Sequence, residues 1–274
     1  MTNAAVSALD RFRLDGRTAF LSGAAGHLGR AMALALGDAG ARVILNGRNK
    51  PRLEDLANAI GAKGGEAEIA AFDVGDLATV RDFFGARERL DIIVNNAITM
   101  TPRPFAQLTE DEFAQTYLTG VTAPFEIVRA ALPALKRAHE MAGDASIVNV
   151  ASMYGTVAPD ARVYSRPEQA SPLHYGPAKA ALMQLTRHLA SELGREHIRV
   201  NALVPGVLRT ELNAALLDGT ERGREFLLRT PMKRYGKVEE LGGAAIFLAS
   251  DAASFVTGHL LVVDGGFLAS GVNQ

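Results

Sequence analysis

The sequence predicts an α/β fold in which about seven parallel strands form a doubly wound sheet with helices on both faces. Three observations support this fold class. Apolar runs of strand length alternate with amphipathic runs of helix length along the chain. The strand runs are almost continuously apolar, which is typical of strands buried on both faces. A glycine-rich turn joins the first strand directly to the first helix.

The predicted strands and helices follow one another in regular order. The strands are residues 17–22, 41–46, 68–72, 90–95, 146–151, 198–204 and 259–263. The helical stretches are residues 28–39, 51–60, 77–86, 109–140, a stretch ending near Leu193, 211–229 and 239–249. No Pro-, Gly- or Ser-rich linker divides the chain. We therefore expect residues 1–274 to form a single domain, with residues 1–13 as a loose N-terminal extension.

The composition excludes several classes of protein. A formal net charge of −1 removes the positive field that non-specific nucleic-acid binding requires. The absence of cysteine excludes disulfides and thiolate chemistry, and the six histidines lack the spacing of a metal site. No apolar run approaches the ~20 residues of a membrane span, and the N-terminus lacks the apolar segment of a signal peptide. We expect a cytoplasmic protein that binds no nucleic acid, membrane or metal.

The turn after the first strand has the pattern of a phosphate-binding loop. Its glycines would let the backbone approach a pyrophosphate, and the helix N-terminus would add unpaired N–H groups. A tight turn without a ligand is the alternative. On the dinucleotide interpretation, the contacts come from Ser22, Gly23, Gly26, His27, Leu28 and Gly29.

The end of the second strand predicts which dinucleotide binds. A carboxylate there would pair with the free 2′-hydroxyl of NAD(H), but the chain has Asn46, Arg48 and Asn49. The guanidinium of Arg48 suits a 2′-phosphate, so NADP(H) is favoured over NAD(H), with a solvated surface arginine as the alternative. Asp73, which precedes Val74, is predicted to accept from the adenine amino group, with a helix N-cap as its alternative.

Three later side chains could carry acid–base chemistry. Tyr175 and Lys179 are four residues apart and share a helix face, where the ammonium could lower the phenol pKa of ~10. Such a pair also occurs often by chance. Ser152 follows the fifth strand, at the sheet edge where open α/β sheets bind ligands. Its hydroxyl could donate to a substrate carbonyl, and a loop cap is the alternative.

Together these motifs resemble the short-chain dehydrogenase/reductase family over residues 14–267. The matching pieces occur in the family's order: the turn 22–29, Asp73-Val74, Asn95-Asn96-Ala97, Ser152, Tyr175 with Lys179, Val200-Asn201, Pro205-Gly206 with Thr210, and Asp264-Gly265-Gly266. The resemblance implies a Rossmann fold, a nicotinamide cofactor and hydride transfer to or from a small carbonyl or alcohol substrate.

The resemblance also implies a role for each residue. Tyr175 would be the general acid/base, Lys179 would bind the nicotinamide ribose and lower the pKa of Tyr175, and Ser152 would polarise the substrate oxygen. Further cofactor contacts would come from Asn95, Ala97, Pro205, Gly206, Val207 and Thr210. A homotetramer or homodimer is expected, with residues 109–140, 172–193 and 258–267 as candidate contact regions.

Three positions depart from the family's pattern. His27 stands at the family's middle glycine, and Ile98 stands where a glycine usually follows Asn95-Asn96-Ala97. Gly120 aligns with a helix asparagine that, in the family, holds a kink and a water linking the lysine to bulk solvent. We expect these departures to slow proton exchange without abolishing catalysis.

The segment between Ser152 and Tyr175 is longer than is usual in the family, so it must lie near the active-site mouth. We predict substrate contacts from Tyr154, Arg162, Tyr164 and His174. Further arginines favour a keto acid or sugar acid, with surface or subunit contacts as the alternative; they are Arg166, Arg209, Arg222, Arg224 and Arg229. Similar insertions occur in members that resemble gluconate 5-dehydrogenases.

The predicted function is NADP(H)-dependent hydride transfer between nicotinamide and a polar ketone or secondary alcohol. Two alternatives stay open. His27 and Gly120 motivate a non-catalytic NADP(H)-binding or redox-sensing protein. Within the enzyme class, an NAD(H)-dependent dehydrogenase of an uncharged alcohol is the alternative.

Overall fold

A computed structural model describes residues 7–160, 163–164 and 171–270. Seven strands form one parallel sheet in the order β3-β2-β1-β4-β5-β6-β9. Their bounds, with those of the short pair β7 and β8, are β1 Thr18–Leu21, β2 Arg42–Gly47, β3 Ala67–Ala71, β4 Ile92–Asn95, β5 Ala145–Val150, β6 Ile198–Pro205, β7 Leu208–Arg209, β8 Gly236–Lys237 and β9 Leu260–Val263. The predicted doubly wound α/β fold is confirmed.

Helices cover both faces of this sheet. They are α1 His27–Asp38, α2 Lys50–Gly61, α3 Leu77–Gly85, α4 Glu110–Tyr117, α5 Ala123–Ala142, α6 Tyr175–Leu193, α7 Ala214–Leu217, α8 Glu221–Arg229 and α9 Glu240–Ala249. α1, α2 and α9 share one buried apolar cluster, whereas α3, α5 and α6 share another. None of the helices in the described part of the chain combines the length and apolar character needed to cross a bilayer.

Side-chain alternation along the strands divides the core into these two clusters. In β1, Ala19 and Leu21 pack towards α1 and α9, and Phe20 between them packs towards α3 and α5. All seven strands are parallel, so their carboxyl ends meet at one edge. The strand order reverses between β1 and β4, which is where open sheets of this type bind ligands.

Two helical predictions differ from the structure. The predicted helix 109–140 is interrupted by a π turn, Leu118–Thr122, between α4 and α5. The stretch 211–229 divides into α7 and α8 around Gly219, whose φ of +70° favours glycine. α6 begins at Tyr175, so Pro177 lies in the first turn, where its missing N–H leaves no helical hydrogen bond unmade.

Candidate active site

A cavity of about 930 Å³ opens at the carboxyl edge of the sheet. Its wall combines segments that are far apart in sequence: the turn before α1, the end of β2, the loops after β3 and β4, the start of α6 and the end of β6. Its volume lies within the range of small-molecule and cofactor sites. Most of the predicted site residues therefore surround one space.

The glycine turn forms one wall of the cavity. Gly23 has a φ of +65°, and a Cβ on Gly29 would lie 2.2 Å from the Gly23 carbonyl oxygen, so both positions require glycine. Ser22 is buried and does not line the cavity. Its Oγ instead accepts hydrogen bonds from the backbone N–H groups of Asn96 and Ala97, at 2.9 and 3.0 Å. The predicted contact of Ser22 is thus replaced by a positioning role, which joins the turn to the loop after β4.

His27 is the first residue of α1 and lines the cavity with Gly26 and Leu28. It is not among the residues with positive φ. The backbone therefore does not require glycine at this position, and the imidazole adds a side chain to the cavity wall.

The end of β2 forms the outer wall of the same cavity. Asn46 is buried, and its Nδ2 donates to the carbonyls of Ala70 and Phe72 at 2.9 and 3.1 Å, which ties β2 to β3. Arg48 Nη1 lies 3.6 Å from Asp73 Oδ2, and the Arg48 side chain is 70% exposed. Asn49 lines the cavity and also caps α2 through its side chain.

Asp73 and Val74 line the cavity after β3. The suggested alternative for Asp73, an N-cap, is wrong because Asp76 caps α3 by accepting from the N–H groups of Ala78 and Thr79. Asp73 instead accepts from the N–H of Gly75 at 2.8 Å. Its second carboxylate oxygen faces Arg48.

Ser152, Tyr175 and Lys179 meet at the centre of the cavity wall. Partial burial raises the pKa of Tyr175, and a hydrogen bond with Ser152 opposes that shift. Burial lowers the pKa of Lys179 to about 8. Lys179 Nζ lies 5.8 Å from the centre of the Tyr175 ring and donates to the carbonyl of Val150 at 2.5 Å.

The effect that the resemblance implied for Lys179 differs from the balance in this structure. Burial is the largest influence on Tyr175, so its pKa lies above the ordinary value instead of below it. A phenol with a raised pKa stays protonated at neutral pH. Tyr175 is therefore prepared to donate a proton.

Asn95 does not line the cavity but anchors the strands beneath it. Its Nδ2 donates to Asn149 Oδ1 at 2.9 Å, and Asn149 Nδ2 donates to Thr186 Oγ1 at 2.9 Å. All three side chains are buried. The row joins β4, β5 and α6, so it fixes the helix that carries Tyr175 relative to the sheet. Sequence reasoning had suggested Asn95 itself as a cofactor contact, whereas the neighbouring Asn96 and Ala97 line the cavity.

The residues after β6 complete the inner wall: Pro205, Gly206, Val207 and Thr210. A Cβ on Gly206 would lie 2.5 Å from Asp264 Cβ, so this crossing of two chain segments requires glycine. The side chain of Asp264 accepts from the N–H groups of Gly266 and Leu268, both at 2.7 Å, which fixes the loop after β9.

Two of the departures from the family pattern are in contact with each other. Gly120 is buried within the π turn. A Cβ at this position would lie 2.9 Å from Ile98 Cδ1 and 3.3 Å from Ile98 Cγ1. Ile98 thus occupies the space beside Gly120. The hydroxyl of Thr119 accepts from the N–H of Thr99 at 2.9 Å, which attaches the loop carrying Ile98 to the same turn.

The opposite end of the cavity is lined by aromatic and apolar side chains. The hydroxyls of Tyr154 and Tyr164 are 2.8 Å apart. Leu212, Leu216, Leu217 and Phe226 line this end, with Arg222 beside them. The predicted Tyr154 and Tyr164 therefore line the cavity. Arg162 and Arg166 lie outside the described residues.

His174 was predicted as a substrate contact, but the structure places it elsewhere. It is fully buried and does not line the cavity, although it adjoins Tyr175 in sequence. Burial lowers the pKa of its imidazole. Sequence proximity alone suggested His174, and the turn that begins α6 directs it into the protein interior.

The remaining predicted arginines divide clearly. Arg209 pairs with Asp218 at 2.5 Å on the exposed surface. Arg229 is buried against Asp160 at 2.9 Å and also pairs with Glu225. Arg224 is exposed and does not line the cavity. Of the described members of this group, Arg222 lines the cavity, and no sequence signal distinguished it from the others.

Comparisons with known proteins agree with this architecture. A family model described as enoyl-(acyl carrier protein) reductase matches residues 23–268. Gluconate 5-dehydrogenase of Gluconobacter oxydans is 36% identical over 265 residues, covering 95% of this chain and 98% of that protein. A rhamnolipid-biosynthesis 3-oxoacyl-[acyl-carrier-protein] reductase of Pseudomonas aeruginosa is 33% identical over 260 residues, covering 93% and 98%.

Among solved structures, a gluconate 5-dehydrogenase of Burkholderia cenocepacia in complex with NADP and tartrate is similar throughout. It superposes with a TM-score of 0.83 at 36% identity and covers 96% of this chain and 99% of that one. The sequence match, the common fold and the ordered motifs agree. The chain is an oxidoreductase-family protein and belongs to the short-chain dehydrogenases/reductases.

Proposed function

We propose that this protein is an NADP(H)-dependent oxidoreductase that interconverts a carbonyl and a secondary alcohol on a sugar acid or keto acid. One observation carries the proposal. A single cavity is lined both by the glycine turn with Arg48 and by Ser152, Tyr175 and Lys179. A dinucleotide held along the first set of residues would bring its reactive end to the second set.

The residues present fit such a cofactor. Gly23 and Gly29 leave no side chains between the backbone and a pyrophosphate at the start of α1. Arg48 and Asp73 line the end where an adenosine would lie, and the exposed guanidinium of Arg48 suits a 2′-phosphate. Val207 and Thr210 line the inner end, where they would hold a carboxamide.

When bound, the nicotinamide cofactor supplies or accepts the hydride. The protein's own groups manage the oxygen and the proton. Ser152 and Tyr175 offer two O–H donors at the position where a carbonyl oxygen gains negative charge. Tyr175 donates its proton to that oxygen in reduction and takes it back in oxidation. Lys179 supplies a buried ammonium next to the ribose position, and its pKa of about 8 leaves it mostly charged at neutral pH.

The substrate class rests on the cavity and on the relatives. Arg222 and the two tyrosines Tyr154 and Tyr164 give the substrate end a polar, cationic part. Two of the similar proteins are gluconate 5-dehydrogenases. The similar 3-oxoacyl reductase supports a long apolar thioester as the second candidate, because Leu212, Leu216 and Leu217 line the same end.

The decisive experiment measures oxidation of NADPH and NADH by the purified protein with three substrates: 5-keto-D-gluconate, an uncharged ketose and a 3-oxoacyl thioester. We expect turnover with NADPH and 5-keto-D-gluconate. Preference for the thioester would support the second candidate. Tight NADPH binding without turnover on any carbonyl would support the non-catalytic binder instead.

We further propose that the chain forms a homotetramer or homodimer. Phe113, Phe125 and Leu173 are apolar, lie in or next to the predicted contact helices and are between 37% and 51% exposed. Val262, on the edge strand β9, is 42% exposed. Light scattering coupled to gel filtration tests this assembly, and a monomer at micromolar concentration would contradict it.

A further inference from the structure

Within the described residues, the charged side chains that line the cavity are unevenly distributed. Arg48, Arg52 and Asp73 lie at the cofactor end, and Lys179 lies at the centre. At the substrate end, Arg222 is the charged side chain in the described part of the wall. An anion entering this end would therefore meet a cation and no described carboxylate.

The guanidinium of Arg222 is held by stacking on aromatic rings. Its Cζ lies 4.8 Å from the centre of the Tyr164 ring and 5.8 Å from that of Phe226. A guanidinium stacked on ring faces keeps its N–H edges in the plane, where they can bind a carboxylate through two parallel hydrogen bonds. Arg222 is partly buried, so such a bond would be screened by water less than one on the surface.

A continuous row of contacts connects Arg222 to the reacting groups. Arg222 stacks on Tyr164, whose hydroxyl meets that of Tyr154 at 2.8 Å. The backbone N–H of Tyr154 donates to Ser152 Oγ at 3.2 Å. The charge of Arg222 opposes the rise in the pKa of Tyr154 that burial causes, whereas Tyr175 adds to it. Tyr154 is thus within electrostatic reach of both Arg222 and Tyr175.

We propose that Arg222 binds the carboxylate of the substrate and fixes it at a distance from the carbonyl that Ser152 and Tyr175 address. The Tyr154 and Tyr164 hydroxyls then contact the polar carbons between these two ends. This inference rests on the proposed function and narrows it to acids whose reacting carbon is remote from the carboxylate. Acids with the ketone next to the carboxylate fit less well, because one small group cannot reach both ends.

The first test compares two substrates that differ mainly in charge. 5-Keto-D-gluconate carries a carboxylate where L-sorbose carries a hydroxymethyl group. We expect R222L to raise KM for 5-keto-D-gluconate by roughly 10- to 100-fold, and KM for L-sorbose by less than about 3-fold. R222K, which keeps the charge without the fork, should fall between R222L and wild type for the acid.

R224L is the matched control. Arg224 lies two residues further along α8, is exposed and does not line the cavity, so we expect both KM values to stay at the wild-type level. A KM that rises equally for both substrates in R222L would overturn the proposal in favour of a structural role. An unchanged KM for the acid would overturn it as well.

A binding experiment separates this proposal from the proposed function. Tartrate, a dicarboxylate without a ketone, is titrated calorimetrically into the NADPH-loaded wild type, R222L and R224L. We expect binding to wild type and R224L and at least 10-fold weaker binding to R222L. Equal binding to all three, or none to wild type, would refute the anion site. If tartrate binding depends on Arg222 but 5-keto-D-gluconate is not reduced, the proposed reaction fails and the anion site stands.

Discussion

Replacing Gly120 by Asn restores the residue type that the family has at this position, but the structure predicts that this single change is unfavourable. The new Cβ would lie 2.9 Å from Ile98 Cδ1 and 3.3 Å from Ile98 Cγ1, whereas carbon atoms in contact normally stay ~3.5–4.0 Å apart. The Ala178 Cβ, at 3.9 Å, limits movement on the side of α6. Crowding should therefore appear as soon as any side chain is added.

The magnitudes follow from the two sides of this contact. Overpacking by Gly120→Asn should lower the free energy of unfolding by about 1–3 kcal/mol. Ile98→Ala should cost about 2 kcal/mol, the low end for a buried isoleucine, because Ile98 is only partly buried. With Ile98 truncated, the asparagine has room. The double variant should then be more stable than the sum of the single effects by about 1–3 kcal/mol.

Urea denaturation of wild type, both single variants and the double variant measures this coupling. Gly243→Asn is the matched control, since Gly243 lies inside α9 and a Cβ there meets no atom within 4 Å. Its effect should add to that of Ile98→Ala within about 0.5 kcal/mol. Additivity of the Gly120 and Ile98 changes would refute the idea that the two departures compensate. In the same proteins, the solvent deuterium isotope effect on kcat should be larger for wild type than for the double variant.

Three further outcomes are expected. Tyr175→Phe should lower kcat by about 10²- to 10⁴-fold and leave NADPH affinity unchanged by fluorescence titration; retained turnover would remove Tyr175 as the acid. Arg48→Gln should reduce the ratio of NADPH to NADH affinity by about 10-fold or more, and an unchanged ratio would return Arg48 to a surface role. Lys179→Met should be inactive yet more stable at pH 7, by on the order of 1–3 kcal/mol, because it removes a buried ammonium. The pKa of Lys179 is lowered from 10.5 to about 8 by burial, so the unfolded chain binds more protons between these values. Wild-type stability should therefore gain a contribution as pH rises from 8 to 10.5, and urea denaturation of the variant should lack it.

The fold could be predicted because its signals are local. Each sheet strand is a short apolar run next to a helical stretch, and the observed strands overlap the seven predicted ones. The π turn at Leu118–Thr122 was not predicted, because hydrophobic spacing continues through it and only backbone hydrogen bonds reveal it. Nor were β7 and β8 predicted, since two-residue strands have too few side chains for a pattern.

The site divides in the same way. Gly23, Gly29, Ser152 and Tyr175 could be predicted because each follows a strand end or starts a helix, and parallel strands bring such positions to one edge. His174 was placed wrongly because neighbours in sequence point in different directions at the start of a helix. Arg222 could not be chosen from its sequence context. Its environment is made by Tyr164 and Phe226, and only the packed chain shows which arginine stacks on them.

Departures from a family pattern are usually weighed one position at a time, and the structure shows why that weighing misleads here. The case for a non-catalytic binder rested on His27 and Gly120. His27 needs no left-handed backbone, so the turn keeps its conformation without a third glycine. At Gly120 the lost side chain is matched by the one gained at Ile98, which fills the same space. Two apparent defects in the α6 region thus become one exchange of side chains. Neither departure now distinguishes a binder from an enzyme, and the question passes to turnover by Tyr175.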